Sequence, residues 1–457
     1  MRRRAPLSVS HHGLLVAGFL AWAMVLGGGG SPSPKAEIIV QIGFVGAVIA
    51  WLWWARRGES APAGQVPRQL VVLGCALLAV PLVQLVPLPL AIWQALPGRE
   101  LEAASLALVG AQDSWRPLTI SAPRTLAGLL ALVPAVGLMW ATATLGSRDR
   151  RAVVLTIALV AIASAVLGAL QLAASEGAFQ LYEKSHRGWL TGFHSNRNAA
   201  VDVLLIGSLA LSAWFAGKAM PPAIARRRVP VLLAGQAVLL LAAVLTGSRA
   251  GILLILPVLA LNSAILAPVG MGSAPKWVAR GAAGIVLLLL AMPLVLAGNQ
   301  RLAGVASRFD VTSDARLLVW RDTLAAIEAY FPVGGGVGTF PVAFTPYESF
   351  ESLAPPSINR AHNDYLELLL EMGIGAPVLL VLGAVLLVSL ARMALRESPE
   401  ERTPQFFALG VLGVIALHSL VDYPMRNMAI ACLAGVAAGL LGPVRPPVRA
   451  RRETEQD

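Results

Sequence analysis

The sequence predicts an all-α integral membrane protein with about twelve transmembrane helices, and three observations lead there. First, 56% of the 457 residues are apolar and only 13% are charged, whereas a soluble chain carries about a quarter charged residues. Second, apolar runs of roughly 17 to 25 residues recur from end to end, each long enough to cross a hydrocarbon core of about 30 Å. Third, basic residues gather in small groups at alternate loops, as expected of a polytopic protein. A β-barrel would show short alternating segments instead, and none occur.

The runs fall at residues 13–29, 37–56, 69–95, 125–146, 152–173, 198–216, 230–246, 250–267, 278–297, 365–392, 405–422 and 427–442. An even number of spans puts both termini on one side. That side receives Arg2 to Arg4, Arg56, Arg57, Arg68, Arg148, Arg150, Arg151, Lys218, Arg226 to Arg228, Lys276, Arg280, Arg392, Arg396, Arg402 and the tail arginines, 22 of the 36 Lys and Arg. The opposite side receives 14, most of them in the longer segments 97–124, 174–197 and 298–364, and long translocated segments are partly exempt from the charge rule. Both termini are therefore expected on the cytoplasmic side.

The first run, between three arginines and Gly27 to Gly30, reads as an uncleaved span rather than a signal peptide. Residues 1–442 form one membrane domain, 298–364 a large outward loop within it, and 443–457 a solvated tail. Cys75 and Cys432 sit inside apolar runs and read as buried small hydrophobes. The net charge of +11 is spread over helix ends, which is a topology signal and excludes a nucleic-acid patch.

Chemistry, if there is any, belongs on the outward face, where aromatics, histidines, glycines and isolated arginines collect. One cluster runs from Ser185 to Asn198, with His186, His194 and Arg197. A second is the tight connection Thr246-Gly247-Ser248-Arg249-Ala250-Gly251. The third lies in loop 298–364, with Arg308, Arg316, Trp320, Arg321 and the run Gly334 to Phe340. The fourth is His418 to Arg426 between the last two spans. Within the third, residues 315–330 read as a helix whose stripe of Leu317, Leu318, Trp320, Leu324, Ala325 and Ile327 suits a membrane interface, with Arg316 and Arg321 turned to headgroups.

His362 is the most informative residue. It stands in Arg360-Ala361-His362-Asn363-Asp364-Tyr365-Leu366-Glu367, where the long loop turns into an apolar helix. Ionisable groups at the mouth of a span are functional candidates, and a neutral imidazole is available as a base at working pH. The competing reading is a hydrogen-bonded structural histidine, and it weighs more heavily on His186, His194 and His418. Arg249 is either an interfacial arginine snorkelling to phospholipid or a fixed anion ligand that forks two donors onto a phosphate. Gly247, Ser248 and Gly251 would then let the phosphate approach the backbone. Asp364, Glu367 and Glu371 share one helical face and suit a wet helix end better than a metal. The run Gly334 to Gly338 follows no βαβ strand, so it reads as a close-packed turn rather than a nucleotide loop.

Taken in order, these clusters resemble the O-antigen ligase and polymerase superfamily over roughly residues 185–430. The likeness rests on Phe193 to Ala199, the Thr-Gly-Ser-Arg connection at Thr246 to Ala250, Arg316 to Trp320 with Gly336 to Phe340, and His362 to Gly373. The resemblance implies a GT-C-like glycosyltransferase of the bacterial inner membrane that works at the periplasmic face. It would move a glycan from undecaprenyl pyrophosphate to an acceptor hydroxyl. Carried onto this chain, His362 is the base and Arg197, Arg249 and Arg316 face the pyrophosphate, followed by Arg360 and Arg321. Asn363, Tyr365, Glu367 and Ser248 support them.

Several guanidinium groups would stabilise the departing pyrophosphate where nucleotide-sugar enzymes use a divalent metal, so no metal or other cofactor is expected. Attack opposite the leaving group would invert the anomeric centre. The expected partners are the lipid-linked donor, membrane lipids, and either a lipid A–core sugar (ligase) or a second lipid-linked glycan (polymerase), with no nucleic acid. A protein-glycosylating relative stays open as a third form. A transporter or flippase is the alternative from another class, but it would be expected to show paired halves with interrupted helices, and no repeat is evident.

Overall fold

The computed structural model describes residues 9–58, 64–111, 113–174, 177–217, 227–267, 316–351, 358–396 and 402–444. In chain order the helices are α1 His11–Leu26, α2 Pro34–Arg56, α3 Arg68–Gln84, α4 Leu90–Gln94, α5 Glu100–Leu108, α6 Ala122–Ala143, α7 Ser147–Ala173, α8 Arg197–Ala216, α9 Arg228–Leu245 and α10 Arg249–Leu266. After the large loop follow α11 Arg316–Tyr330, α12 Phe340–Phe344, α13 Asp364–Met372, α14 Gly375–Ala394, α15 Thr403–His418 and α16 Met428–Leu440.

Seven of these are long and apolar enough to cross a membrane, and four more (α1, α3, α15, α16) are shorter apolar helices. Eleven of the twelve expected spans thus coincide with apolar helices, and the ninth, 278–297, lies outside the described residues along with Lys276, Arg280 and Arg308. The chain is a multi-pass helical membrane protein.

Two spans differ from expectation. The third helix ends at Gln84, not near residue 95; Pro87–Leu88 then pairs antiparallel with Arg116–Pro117. The tenth is broken at Gly373, whose φ is +53° and where a Cβ would stand 2.0 Å from the Pro332 carbonyl oxygen. Only glycine tolerates both the close approach and the left-handed backbone, so α13 and α14 are separate helices. Cys432 is buried as expected, but Cys75 is exposed on the outside of the bundle.

The centre of the bundle is α8, 94% buried over its apolar window, whereas α2 is 6% buried and presents Ile38, Ile42, Val45 and Ile49 outward. Around α8 stand α7, α9, α10 and α15, and α6 packs along α16. Mid-bundle, Ser208 donates to Gln236 at 2.5 Å while Gln236 donates to Ser212 and Asn262 to Ser208 at 2.9 and 2.8 Å. Such interhelical polar contacts hold apolar helices in register where burial of apolar surface gains nothing.

The helix ends sort into two faces as the alternation of basic loops requires. On one, Asp149 accepts from the Ser10 amide and hydroxyl at 2.9 and 2.7 Å. There, too, the fully buried Arg150 donates to the carbonyls of Leu145, Leu440, Gly442 and Ala143 at 2.6 to 3.2 Å. These are the carbonyls that a helix C-terminus leaves without an internal donor. On the other face meet the loops carrying Gly28, Ser195, His362, Asp422 and the glycine run.

Candidate active site

Residues 358–363 cross the second face between α11 and α13. Backbone contacts pin the segment on both sides: the Trp320 indole donates to the Ala361 carbonyl at 2.9 Å, and the Asp364 amide donates to the Ser419 carbonyl at 3.0 Å. Between these points His362 adopts φ +51°, a left-handed conformation that a non-glycine residue keeps only where its surroundings enforce it. The consequence is an imidazole turned toward the turn after α15. Its Nδ1 lies 3.1 Å from Asp422 Oδ1, and its ring meets Tyr423 edge-on with centroids 4.9 Å apart. A carboxylate only accepts, so Nδ1 is the donor of this contact, and Nε2 is the ring nitrogen not engaged by Asp422. The His362 side chain is 33% exposed while Asp422 is 4% exposed, so the free nitrogen belongs to the accessible side of the pair.

Burial alone would raise the Asp422 carboxyl, but the His362 hydrogen bond and the His418, His362 and Arg316 charges outweigh it and hold the group at about 2. It is a permanent anion at any working pH. The neighbouring Tyr423 phenol is pushed up by burial and then by Asp422, so it stays protonated. Arg316, the first residue of α11, is close enough to act electrostatically on both Asp422 and His418. Arg316 thus acts on the carboxylate that His362 contacts.

Arg197 and Arg249 stand on the other flank. Arg197 lies over the Trp189 ring at 5.1 Å, and the same ring fills the space beside Gly247, where a Cβ would be 2.1 Å from it. Arg249 opens α10 two residues later. The flank connects to His362 through Asn196, whose amide donates to the Tyr423 hydroxyl at 3.4 Å.

Arg360 is buried, 2.5 Å from Glu367 Oε1 and 2.9 Å from the Ser31 hydroxyl. Arg321 stands exposed on α11. The buried face of that helix is Val319, Asp322, Thr323, Ala326, Ile327 and Tyr330, packed on α12 and α13, while Leu317 and Leu324 point away. The expected apolar stripe is thus rotated: an acid and a threonine face inward because Asp322 accepts from the Ser349 amide at 3.0 Å and Thr323 donates to the Val319 carbonyl at 2.6 Å. Asn363 caps α13, accepting from Tyr365 and Leu366 amides at 3.0 and 3.1 Å, and Ser248 caps α10 in the same manner. The Tyr365 hydroxyl donates to the Ala416 carbonyl at 2.8 Å.

The glycine run is a wedge. Gly335 and Gly336 amides donate to the Leu370 and Glu371 carbonyls at 2.9 and 2.8 Å, and the Val337 amide donates to Gln84 at 2.8 Å. Gly334, Gly336 and Gly338 all have positive φ.

Four further ionisable residues meet here: His418, Asp422 and Arg426, all within the fourth outward cluster, and Asp202, which no motif marked. Arg426 anchors the acidic face of α13, with Glu367 at 3.2 Å, Glu371 at 2.7 Å and Asp364 at 3.8 Å. Burial opposes its charge, but Glu367, Glu371 and Asp364 override that and raise its proton affinity. The three carboxylates thus face arginines rather than His362. Their signal was present in the sequence as lone charges inside or between apolar runs, and only their partners were hidden.

Beside Arg360 and Arg426 opens a crevice of about 310 Å³ that continues between α3, α6, α14 and α16. Its wall on α6 runs from Arg124 to Met139, roughly 22 Å of helix, and is apolar beyond Arg124.

Residues 234–381 match the family model described as O-antigen ligase. The matched segment contains Arg249, Arg316, Arg360 and His362, and excludes Arg197, Asp202, His418, Asp422 and Arg426. No curated protein matches the chain.

Proposed function

We propose that this chain, whose residues 234–381 match the O-antigen ligase family model, is a glycosyltransferase of the inner membrane acting at its periplasmic face. It moves a glycan from undecaprenyl pyrophosphate to a hydroxyl of a lipid A–core acceptor. The observation that carries this reading is the His362–Asp422 pair beside Arg316, with His362 and Arg316 inside the matched segment.

In this mechanism the acceptor O–H proton passes to His362 Nε2 as the acceptor oxygen bonds to the anomeric carbon. The anomeric C–O bond breaks on the opposite face, and the electron pair leaves with the pyrophosphate. Asp422 fixes the tautomer and stabilises the imidazolium, and general-base assistance of this kind contributes about 10²- to 10⁴-fold. Arg316, Arg249 and Arg197 meet the charge that develops on the leaving group, an electrostatic role that preorganised guanidinium groups can fill. The crevice beside Arg426 is of the width and polarity for a hydrocarbon chain entering from the membrane. The product is inverted; a retained anomeric configuration in the new linkage, read by NMR, would contradict the single displacement.

Deleting the gene and examining the surface glycan tests the assignment. Full-length chains stranded on the lipid carrier indicate the ligase. Single repeat units on a normal acceptor indicate a polymerase using a second lipid-linked glycan. An unchanged profile excludes both. Within the ligase, Arg249→Lys with full activity would remove the bidentate phosphate role.

A further inference from the structure

Behind Asp422 lies a second acid–imidazole pair that the mechanism above does not use. His418 Nδ1 is 2.6 Å from Asp202 Oδ1, and His418 Nε2 is 4.0 Å from Asp422 Oδ2. The Asp422 carboxylate is thus shared, one oxygen toward His362 and the other toward His418. His418 is fully buried and Asp202 is 1% exposed, on the most enclosed helix of the bundle. Burying two ionisable groups in an apolar bundle is costly, and well-packed apolar residues would serve stability as well or better.

The chain geometry ties the pair to the base. His418 ends α15, and its carbonyl accepts from the Val421 and Asp422 amides at 3.0 and 2.9 Å. The position of His418 therefore sets that of Asp422. The groups facing this pair are Asp202 from α8, Asp422 and Tyr423 from the turn, Arg316 from α11 and His362 from the segment before α13. With Nδ1 committed to Asp202, a neutral His418 would turn a bare lone pair at Asp422. With Asp202 ionised, the doubly protonated ring is a cation between the two carboxylates, hydrogen-bonded to Asp202 at 2.6 Å and facing Asp422 electrostatically at 4.0 Å, and a cation suits the C-terminal end of α15.

We propose that Asp202 and His418 are positioning residues for the general base: His418, a buried imidazolium anchored by Asp202, holds the Asp422 carboxylate in the orientation that serves His362. This rests on the reading of His362 as the base. The acceptor proton stays on His362; none crosses Asp422.

The test uses the full-length protein in detergent with an undecaprenyl-pyrophosphate glycan as donor and a lipid A–core acceptor. His418→Gln and Asp202→Asn are compared with His362→Ala, with rates expressed per folded protein. Both clamp variants should lower kcat about tenfold or more while leaving the donor KM within about twofold. In His418→Gln the acid limb of the kcat profile should also move about one unit toward higher pH, because a cation opposing the His362 imidazolium has gone.

Wild-type kcat with the limb in place in both variants overturns the clamp, as does a loss of rate fully accounted for by lost folded protein. If His418→Gln does not fold, Asp202→Asn, which keeps side-chain size, decides by its kcat alone. Activity in His362→Ala would instead overturn the general-base reading and leave the clamp without a base to serve.

Discussion

The two ends of the helix bundle use arginine for opposite purposes. At one end Arg150 is buried among backbone carbonyls at the C-terminal ends of α6 and α16, and its acceptors are the leftover groups of those helix termini. It is a fastener. At the other end Arg316 acts electrostatically on a histidine–carboxylate pair, and Arg197 lies over the Trp189 ring. Arg360 and Arg426 sit between these extremes, close to the site yet bound to Glu367 and Glu371. What an arginine does here depends less on its depth than on whether its partners are backbone or side chain.

That contrast can be broken most sharply at His362 and Arg150. His362→Ala should lower transfer by roughly 10²- to 10⁴-fold per folded molecule, with a melting temperature lowered only by the loss of the Asp422 contact. Arg150→Ala should cost about 3 kcal/mol or more by stranding buried carbonyls, read as a lower melting temperature and less protein in the membrane, with normal rate per folded molecule. The reverse pattern would dissolve the distinction.

Arg426→Ala tests the intermediate class. It strips Glu371 of its ion pair, so we expect about 3–5 kcal/mol of destabilisation, with activity lost only in proportion to folded protein. Gly373→Ala sharpens the boundary between site and span. The left-handed backbone and the Pro332 contact predict a loss of about 1–3 kcal/mol, seen as lower thermal stability and as faster proteolysis at the α13–α14 joint.

The smallest effect is in acid. Asp422 is held at about 2 against 3.8 for an ordinary aspartate. A depressed carboxyl contributes stability that is complete above its unfolded value and disappears as pH falls through its folded value. This amounts to about 2 kcal/mol, lost between about pH 4 and pH 2. The melting temperature of Asp422→Asn should therefore fall less between pH 5 and pH 3 than that of the wild type.

Much of this was legible in the residues. Apolar runs located α1 to α3, α6 to α10 and α14 to α16, because a segment that must satisfy its own backbone in lipid has to be a helix. His362, Arg249 and Arg316 were visible as ionisable residues at the mouths of apolar runs. The buried face of α11 was misread, since Asp322 and Thr323 are polar by type and inward by virtue of partners within their own loop. Arg360, expected to face the pyrophosphate, and Glu367, expected to support it, form an ion pair with one another, a pairing that spacing alone does not reveal.

Composition and periodicity by themselves determined a multi-span helical bundle whose polar chemistry gathers at one face, because the cost of wetting or drying a side chain is a local property. Only the tertiary structure decided that α8 is the centre, that Asp422 serves His362, and that Asp202 meets His418 across 216 positions. Those choices depend on distances between residues far apart in the chain, and the strength of a charge pair is set by separation and burial, neither of which is written in sequence order.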